Sequence, residues 1–326
     1  MIIFIIIFIV LFLVEIFYIK YASLKGIEDH SNNRNSHLIS TVRGGGIIFL
    51  PALFLFFFFF YEQVDKVLGY FIIATIIIAV VSFIDDCKTT KPIIRIIFQF
   101  ISATIVLFTF DIFDNGFVKV ISSVFFTYIL ILGYSNIYNF MDGINGMTFL
   151  NSLCSYITLY LINTFLIHFT NSNLLLIFII STVVFGYFNF RKRPKCFAGD
   201  VGSITIGFTI LFFTLKLFVA TKNPLVFLIL GIYALDGGWT IIERLYRKEN
   251  IFKSHLRHLY ELYANQIKIP HLAIAAAYFI LQLGLNAIVY YSIKINFNNI
   301  ISFIILSVFL SLVYYFIKTK TYKKIK

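Results

Sequence analysis

The sequence predicts an all-α polytopic integral membrane protein of about eleven transmembrane helices, N-terminus outside and C-terminus cytoplasmic, forming a single domain over residues 1–326. Three observations lead there. Of the residues, 60% are hydrophobic and 13% charged, where soluble chains carry about 45–50% and about 25%; mean hydropathy is +0.91. The apolar residues gather in runs matching the ~20 residues that a helix needs to cross the hydrocarbon core. Threading the chain through those runs sends nearly all its Lys and Arg to one side.

The first run, 1–19, has Glu15 as its only charge. It lacks a basic start and a small-residue cleavage site and is too long for a leader's apolar segment, so it reads as a span. The next runs are 45–61, which carries the lipid-suited stretch Phe54–Phe60, then 68–84, 93–110, 118–135 and 147–168. They continue at 173–189, 203–219, 224–242, 271–292 and 299–317. Connections are mostly short, and neither a second hydrophilic domain nor an internal repeat is visible. With the N-terminus outside, inner loops and tail hold 22 Lys and Arg, outer loops 4, and Lys216 lies within a span. Basic residues on the inner face follow from that rule alone, so the formal charge of +12 points to no nucleic-acid partner. Cys87, Cys154 and Cys196 are scattered without metal-ligand spacing, and Cys87 and Cys196 fall in loops where thiols stay reduced.

The outer connections Glu62–Lys66, Asp111–Gly116, Thr221–Pro224 and Ile295–Asn299 read as turns. The inner loops are richer. The first ends Thr41-Val-Arg43-Gly44-Gly45-Gly46, whose glycines suit close backbone approach, anion binding at a helix start, or plain helix packing. The second carries Asp85-Asp86 at the end of an apolar run, followed by Lys91, Arg95 and Gln99. Carboxylates at that depth mark function or a solvated helix end. The third, Asn136-Ile-Tyr-Asn139-Phe-Met-Asp142-Gly-Ile-Asn145-Gly146, reads as a loop offering amide and carboxylate oxygens, the hard ligands that Mg²⁺ prefers beside phosphate. The fourth sets Asp200 between two glycines just before a helix, a placement suited to a metal ligand. The fifth, about 243–270, holds His255-Leu-Arg257-His258; on a helix the two histidines share a face and could bind metal, donate to phosphate or pack. Asp85, Asp86, Asp142, Asp200, Asp236 and the histidine pair all fall on the inner side. Carboxylates, one hard cation and Lys/Arg together suit a diphosphate substrate.

In order and sidedness these five loops resemble those of the polyprenyl-phosphate N-acetylhexosamine-1-phosphate transferases, glycosyltransferase family 4. The resemblance covers nearly the whole chain and implies ten or eleven spans in the cell (inner) membrane with a cytoplasmic active site. It implies transfer of a sugar 1-phosphate from a UDP-sugar to undecaprenyl or another polyprenyl phosphate, with release of UMP, dependence on Mg²⁺ (or Mn²⁺), and membrane lipids and a homodimeric copy as partners. By the family pattern Asp200 and Asn139 ligate the metal, and Asp85 and Asp86 sit beside the acceptor phosphate. Asp142 and Asn145 line the nucleotide-sugar pocket, with Asp142 catalytic. Lys91, Arg95, His255, Arg257 and His258 contact substrate. Many relatives have aspartate where this chain has Asn145. The histidine loop is sparser than in the muramoyl-pentapeptide branch and looks closer to the branch that begins O-antigen and other surface glycans. The implied donor is therefore UDP-GlcNAc or a 6-deoxy-HexNAc derivative, rather than UDP-MurNAc-pentapeptide. Three rival readings are a transporter, an inactive assembly scaffold and a phosphatidyl-alcohol phosphotransferase. The near-absence of mid-span charge, the retained aspartates and the missing aspartate run of the last class argue against each in turn.

Overall fold

The computed structural model describes residues 1–29, 40–88, 90–110, 117–250 and 256–325, the side chains of 117–119 set aside. Its helices, in order, are α1 (Ile2–Lys25), α2 (Phe49–Phe60), α3 (Lys66–Cys87), α4 (Pro92–Leu107), α5 (Phe117–Phe140) and α6 (Met147–Phe165). There follow α7 (Ser172–Asn189), α8 (Gly199–Thr221), α9 (Gly231–Tyr246), the single turn α10 (Leu259–Glu261), α11 (His271–Lys294) and α12 (Ile300–Ile325). Strands β1 (Glu28–Asp29) and β2 (Thr41–Val42) pair antiparallel.

Among the described residues, nine helical segments are long and apolar enough to cross a membrane. The expected spans at 93–110 and 147–168 are helices too. However, α4 has only 16 residues, and α6 buries Thr148, Asn151, Ser152, Ser155, Thr158 and Asn163 within it. The helices start for local reasons: Pro92 stands at the first turn of α4, where its missing N–H costs nothing. The Asp65 carboxylate accepts from Leu68 N at 2.7 Å to cap α3.

Helix α8 is the axis of the bundle, buried at every position from Gly199 to Leu215. Phe212 on α8 stacks on Phe71 of α3 at 4.2 Å between centroids. On the α5 side a side chain at Gly207 would meet Tyr138 Cβ at 2.6 Å, so glycine sets that spacing. The chain ahead of α9, Pro224–Leu230, is a 3-10 helix. Its backbone is completed from α11, where Gln282 Nε2 donates to the carbonyls of Leu228 and Ile229 at 2.9 and 3.0 Å and Oε1 accepts from Ile232 N at 3.0 Å. In an apolar surround each unpaired backbone group would be expensive, so Gln282 is what permits the irregular stretch. Helix α12 is nearly bare; only Tyr314, Lys318 and Thr321 are buried.

The two ends of the bundle differ. At one, Gln63 Oε1 accepts from the amides of Asn171 and Asn173 at 2.9 Å, and Asn298 donates to Lys222 O at 3.0 Å. At the other lie the C-terminal ends of α3 and α5, the N-terminus of α8 and the acidic loops. The described parts of the five loops expected to share a side meet there, through Phe197 N to Val42 O, Arg95 to Asp85 and Asp200, Asn139 to Asp200, and Tyr260 OH to Phe140 O.

Three local expectations are corrected. The segment from Asn136 is not loop: α5 continues to Phe140 because Asn136 pairs with Gln99 at 2.7 Å and with Leu132 O at 2.7 Å, which replaces the competition that Asn usually offers a helix. Helix α8 begins at Gly199, so Asp200 is in its first turn rather than ahead of it. His258 is not on a helix; it is extended, at φ −62° and ψ 147°, and caps α10. His255 lies outside the described residues.

Candidate active site

The site is built where the N-terminus of α8 meets the C-terminus of α3. Asp86, its side chain fully buried, accepts from Asp200 N on Oδ1 and from Val201 N on Oδ2, both at 2.9 Å. It thus satisfies two of the amides that a helix start leaves open and places a negative charge at the positive end of the helix dipole. This close approach depends on Gly199, at φ +69°, where a Cβ would stand 2.5 Å from Asp86 Oδ2.

A second segment closes over the first. Phe197 N donates to Val42 O at 2.8 Å, Gly45 N to Phe197 O at 2.8 Å and Gly46 N to Ala198 O at 3.0 Å. The glycine run therefore lies edge to edge with the chain leading into α8. A Cβ at Gly46 would fall 2.1 Å from Gly202 Cα, so the close approach of backbone to backbone that the glycines suit is realised. Behind it Glu15 of α1 is fully buried, and the Cys196 thiol donates to its Oε1 at 3.4 Å.

That packing delivers Arg43 to the carboxylates. Its Nε lies 2.6 Å from Asp86 Oδ1 and its Nη2 2.9 Å from Asp200 Oδ1. Burial opposes the charge, but the Asp200 and Asp86 carboxylates outweigh it and push the guanidinium still further above its ordinary range. From α4, Arg95 Nη1 bridges Asp85 Oδ2, at 3.1 Å, and Asp200 Oδ2. Asp85 Oδ1 in turn accepts from Thr90 N and Thr90 Oγ1 at 2.6 and 2.5 Å. From α5, Asn139 Nδ2 donates to Asp200 Oδ1 and to Ser203 Oγ, both at 2.9 Å. Asp200 is thus the meeting point of α3, α4, α5 and the glycine segment.

Asp142 lies in the turn after α5, half-buried, and accepts from Thr148 Oγ1 at 2.5 Å. Burial raises its carboxyl to about 7; the Thr148 hydrogen bond opposes that, and the Asp200 and Asp86 charges add to it. Lys91 is exposed at the start of α4.

The remaining expected residues are held differently. Asn145 is buried, its oxygen 2.7 Å from His271 Nδ1 and its nitrogen donating to Arg191 O at 2.6 Å, so both ends of its amide serve loop packing. His258 is buried with Nδ1 3.6 Å from Asp236. Arg257 pairs with Glu249 at 2.6 Å and Glu243 at 3.6 Å. Their described ion pairs run to Asp236, Glu243 and Glu249 and not to Asp85, Asp86 or Asp200. Sequence reasoning passed over the contributions of Arg43, Thr90, Thr148 and Tyr260. A threonine five or six residues from an acid is too common to signal anything, and Tyr260 shows only in three dimensions, donating to Phe140 O at 2.7 Å.

Among the described residues, no three His, Cys, Asp or Glu side chains converge into a ready metal cage. The donor set nonetheless fits a small hard cation. Asp85, Asp86 and Asp200 outnumber Arg43 and Arg95, and ionised Asp142 adds a further negative charge, so a divalent ion would complete the balance with oxygen ligands of the kind it prefers. Asn139 turns its nitrogen toward Asp200, so ligation through its oxygen requires the amide to flip.

Comparison with known proteins bears on this cluster. A sequence profile of glycosyl transferase family 4 matches residues 68–218, the stretch holding Asp85, Asp86, Arg95, Asn139, Asp142 and Asp200. The chain is 26% identical over 265 residues to the phospho-N-acetylmuramoyl-pentapeptide-transferase of Wolbachia sp. subsp. Brugia malayi, covering 72% of this chain and 78% of that one. It is 27% identical over 264 residues to the protein of the same name from Dictyoglomus thermophilum, covering 74% and 80%. It is 25% identical over 256 residues to a probable undecaprenyl-phosphate N-acetylglucosaminyl 1-phosphate transferase of Bacillus subtilis, covering 74% and 71%.

Proposed function

The chain belongs to glycosyl transferase family 4, among the polyprenyl-phosphate phosphosugar transferases, and from that premise we propose that it moves an N-acetylhexosamine 1-phosphate, GlcNAc or a 6-deoxy-HexNAc, from a UDP-sugar to a polyprenyl phosphate. An acceptor phosphate oxygen attacks the sugar-bearing phosphorus, the pyrophosphate bond breaks, and UMP leaves. The observation that carries the reading is the convergence of Asp85, Asp86 and Asp200 on Arg43 and Arg95 at one end of a membrane-spanning bundle. A lipid phosphate held in the adjoining leaflet would meet it there, on the cytoplasmic side by the distribution of positive charge.

The residues divide the work. Asp86 spends both oxygens on the amides of α8, so it acts as architecture, and a role as general base would undo the helix start. Among the described residues Asp85 takes Thr90 and Arg95 and does not cap α8 as Asp86 does, which leaves it the better placed of the pair to face the acceptor. A phosphate monoester is largely ionised near neutral pH, its second pKa being about 6, so alignment matters more than proton removal. Arg43 and Arg95 offer guanidinium to phosphate oxygens. Asp200, with Asn139 beside it, would hold Mg²⁺, which when bound supplies Lewis-acid neutralisation of the diphosphate. Asp142 faces the donor.

The donor assignment rests on the histidine loop, where His258 is turned inward to Asp236 and leaves no cluster of histidines among the described residues. The names of the Wolbachia and Dictyoglomus relatives favour a second reading, UDP-MurNAc-pentapeptide as donor. Membranes bearing the protein, supplied with undecaprenyl phosphate and a panel of UDP-sugars, should release UMP with UDP-N-acetylhexosamines in the presence of Mg²⁺. Release with UDP-MurNAc-pentapeptide alone would exchange the first reading for the second. No release from any donor, with a working control enzyme, would remove both.

A further inference from the structure

Helix α9 carries two acids, Asp236 and Glu243, seven residues apart and so on one face two turns along. Neither belongs to the cluster around Asp200, and each is densely bound. Asp236, 1% exposed, accepts on Oδ1 from Tyr314 OH of α12 at 2.8 Å and from Leu259 N at 3.0 Å. On Oδ2 it accepts from Tyr278 OH of α11 at 2.7 Å and from Tyr260 N at 3.4 Å. Glu243 takes Lys318 Nζ of α12 at 3.0 Å, Tyr322 OH at 3.1 Å and Arg257 Nη1 at 3.6 Å. A buried carboxylate is expensive unless its oxygens are filled. Here the filling is done by the loop 257–260 and by the two helices flanking it.

What this secures is Tyr260. Its side chain is fully buried, its hydroxyl donates to Phe140 O at 2.7 Å, and it lies so close to Gly143 that a Cβ there would be 2.2 Å from the hydroxyl. Phe140 is the last residue of α5. On one side of it is Asn139, bound to Asp200 at 2.9 Å; on the other is the turn that carries Asp142.

We propose that Asp236 is a positioning residue for phosphosugar transfer: by holding the backbone of Leu259 and Tyr260 it seats the Tyr260 hydroxyl on the Phe140 carbonyl and so fixes Asn139 and Asp142 in register with Asp200. Asp236 acts through Tyr260 and touches no reacting atom. The inference rests on the transfer reaction proposed above for its kinetic arm, and on geometry alone for its structural arm.

The test uses the full chain in detergent micelles with Asp236→Asn, Tyr260→Phe and the double variant. Asn keeps the shape but presents an N–H₂ to donors that need an acceptor; Phe removes one hydroxyl. Each single variant should lower kcat by ~100-fold, the scale of a misplacement near 1 Å, with the KM for polyprenyl phosphate much less affected. The double variant should be no worse than the worse single one, because both break one connection. Hydrogen exchange should rise in 256–262 and 139–146 in Asp236→Asn while α6 and α7 keep their protection. Multiplying kinetic losses, or faster exchange in 256–262 with none in 139–146, would overturn the proposal. If wild-type protein turns over no donor, the transfer reading fails and the exchange arm still decides the positioning claim. If Asp236→Asn does not fold, Tyr260→Phe carries the test, and unchanged kcat and exchange in that variant overturns it.

Discussion

Asp86 holds the helix on which Asp200 stands: its two carboxylate oxygens accept Asp200 N and Val201 N, both at 2.9 Å. One acid therefore sets the position of the other from a different helix, and Arg43 ties both side chains together. The neighbouring aspartates of the sequence are unequal partners as a result.

Asp86→Ala should cost stability as well as activity. It strands two buried amides and half of the Arg43 pairing; unsatisfied buried groups cost about 1–3 kcal/mol. Among the described contacts, Asp85→Ala releases Thr90 and one of the two carboxylates shared by Arg95 Nη1, and should abolish turnover with a much smaller loss of thermal stability. Melting curves of the two variants in the same detergent check the contrast, and equal destabilisation would refute it.

Gly199→Ala should be more damaging than its one methyl group suggests. The residue is at φ +69° with Asp86 Oδ2 2.5 Å from where the Cβ would be, and left-handed backbone costs a residue with a side chain about 1–2 kcal/mol. The carboxylate must also move off the α8 amides. Turnover should fall at least as far as in Asp86→Asn. Near-normal activity of Gly199→Ala would show that the cap is dispensable.

Asp142 gives the fold a pH dependence. Its carboxyl is raised from 3.8 to about 7, chiefly by burial, so between those values the folded state binds the proton that the unfolded state has released. Its contribution to stability is then fully present below about pH 4 and is lost as pH rises through about 7. Asp142→Asn should remove that slope, melting above the wild type at pH 8 and converging with it below pH 4. Parallel melting curves across pH 4–8 would contradict the assignment.

How far the sequence foretold this follows from what kind of interaction each feature needs. Spans are legible because a bilayer demands ~20 apolar residues in a row, and the shared side of the acids follows from counting turns between them. The extent of α5 was not legible: Asn136 and Asn139 are loop-formers by propensity, and only their partners Gln99, Asp200 and Ser203, distant in sequence, keep them helical. Arg43 has no signal of its own in the sequence beside the three glycines that follow it, because its two carboxylate partners are contacts across the bundle. For the same reason Asn145, read as lining a pocket, is found spanning His271 and the Arg191 backbone. His258, expected on a helix, is extended and stands at the start of α10.

Arg95 offers the most discriminating variant of the proposed chemistry. Its guanidinium is shared by Asp85 and Asp200, the second of them being the residue proposed to hold Mg²⁺. Arg95→Ala leaves three carboxylates facing Arg43 alone, so the site becomes one charge more negative. A divalent cation should then bind more tightly and the anionic UDP-sugar more weakly, the two shifts having opposite sign. For one removed charge near a partly screened surface, each should be ~10-fold, about 1.4 kcal/mol. Mn²⁺ binding followed by electron paramagnetic resonance reads the first shift without any turnover, and the donor KM reads the second. Weakening of both would mean that Arg95 mainly preserves the shape of the site. Tightening of Mn²⁺ with an unchanged donor KM would mean that the guanidinium balances Asp85 and Asp200 and takes no part in holding the diphosphate.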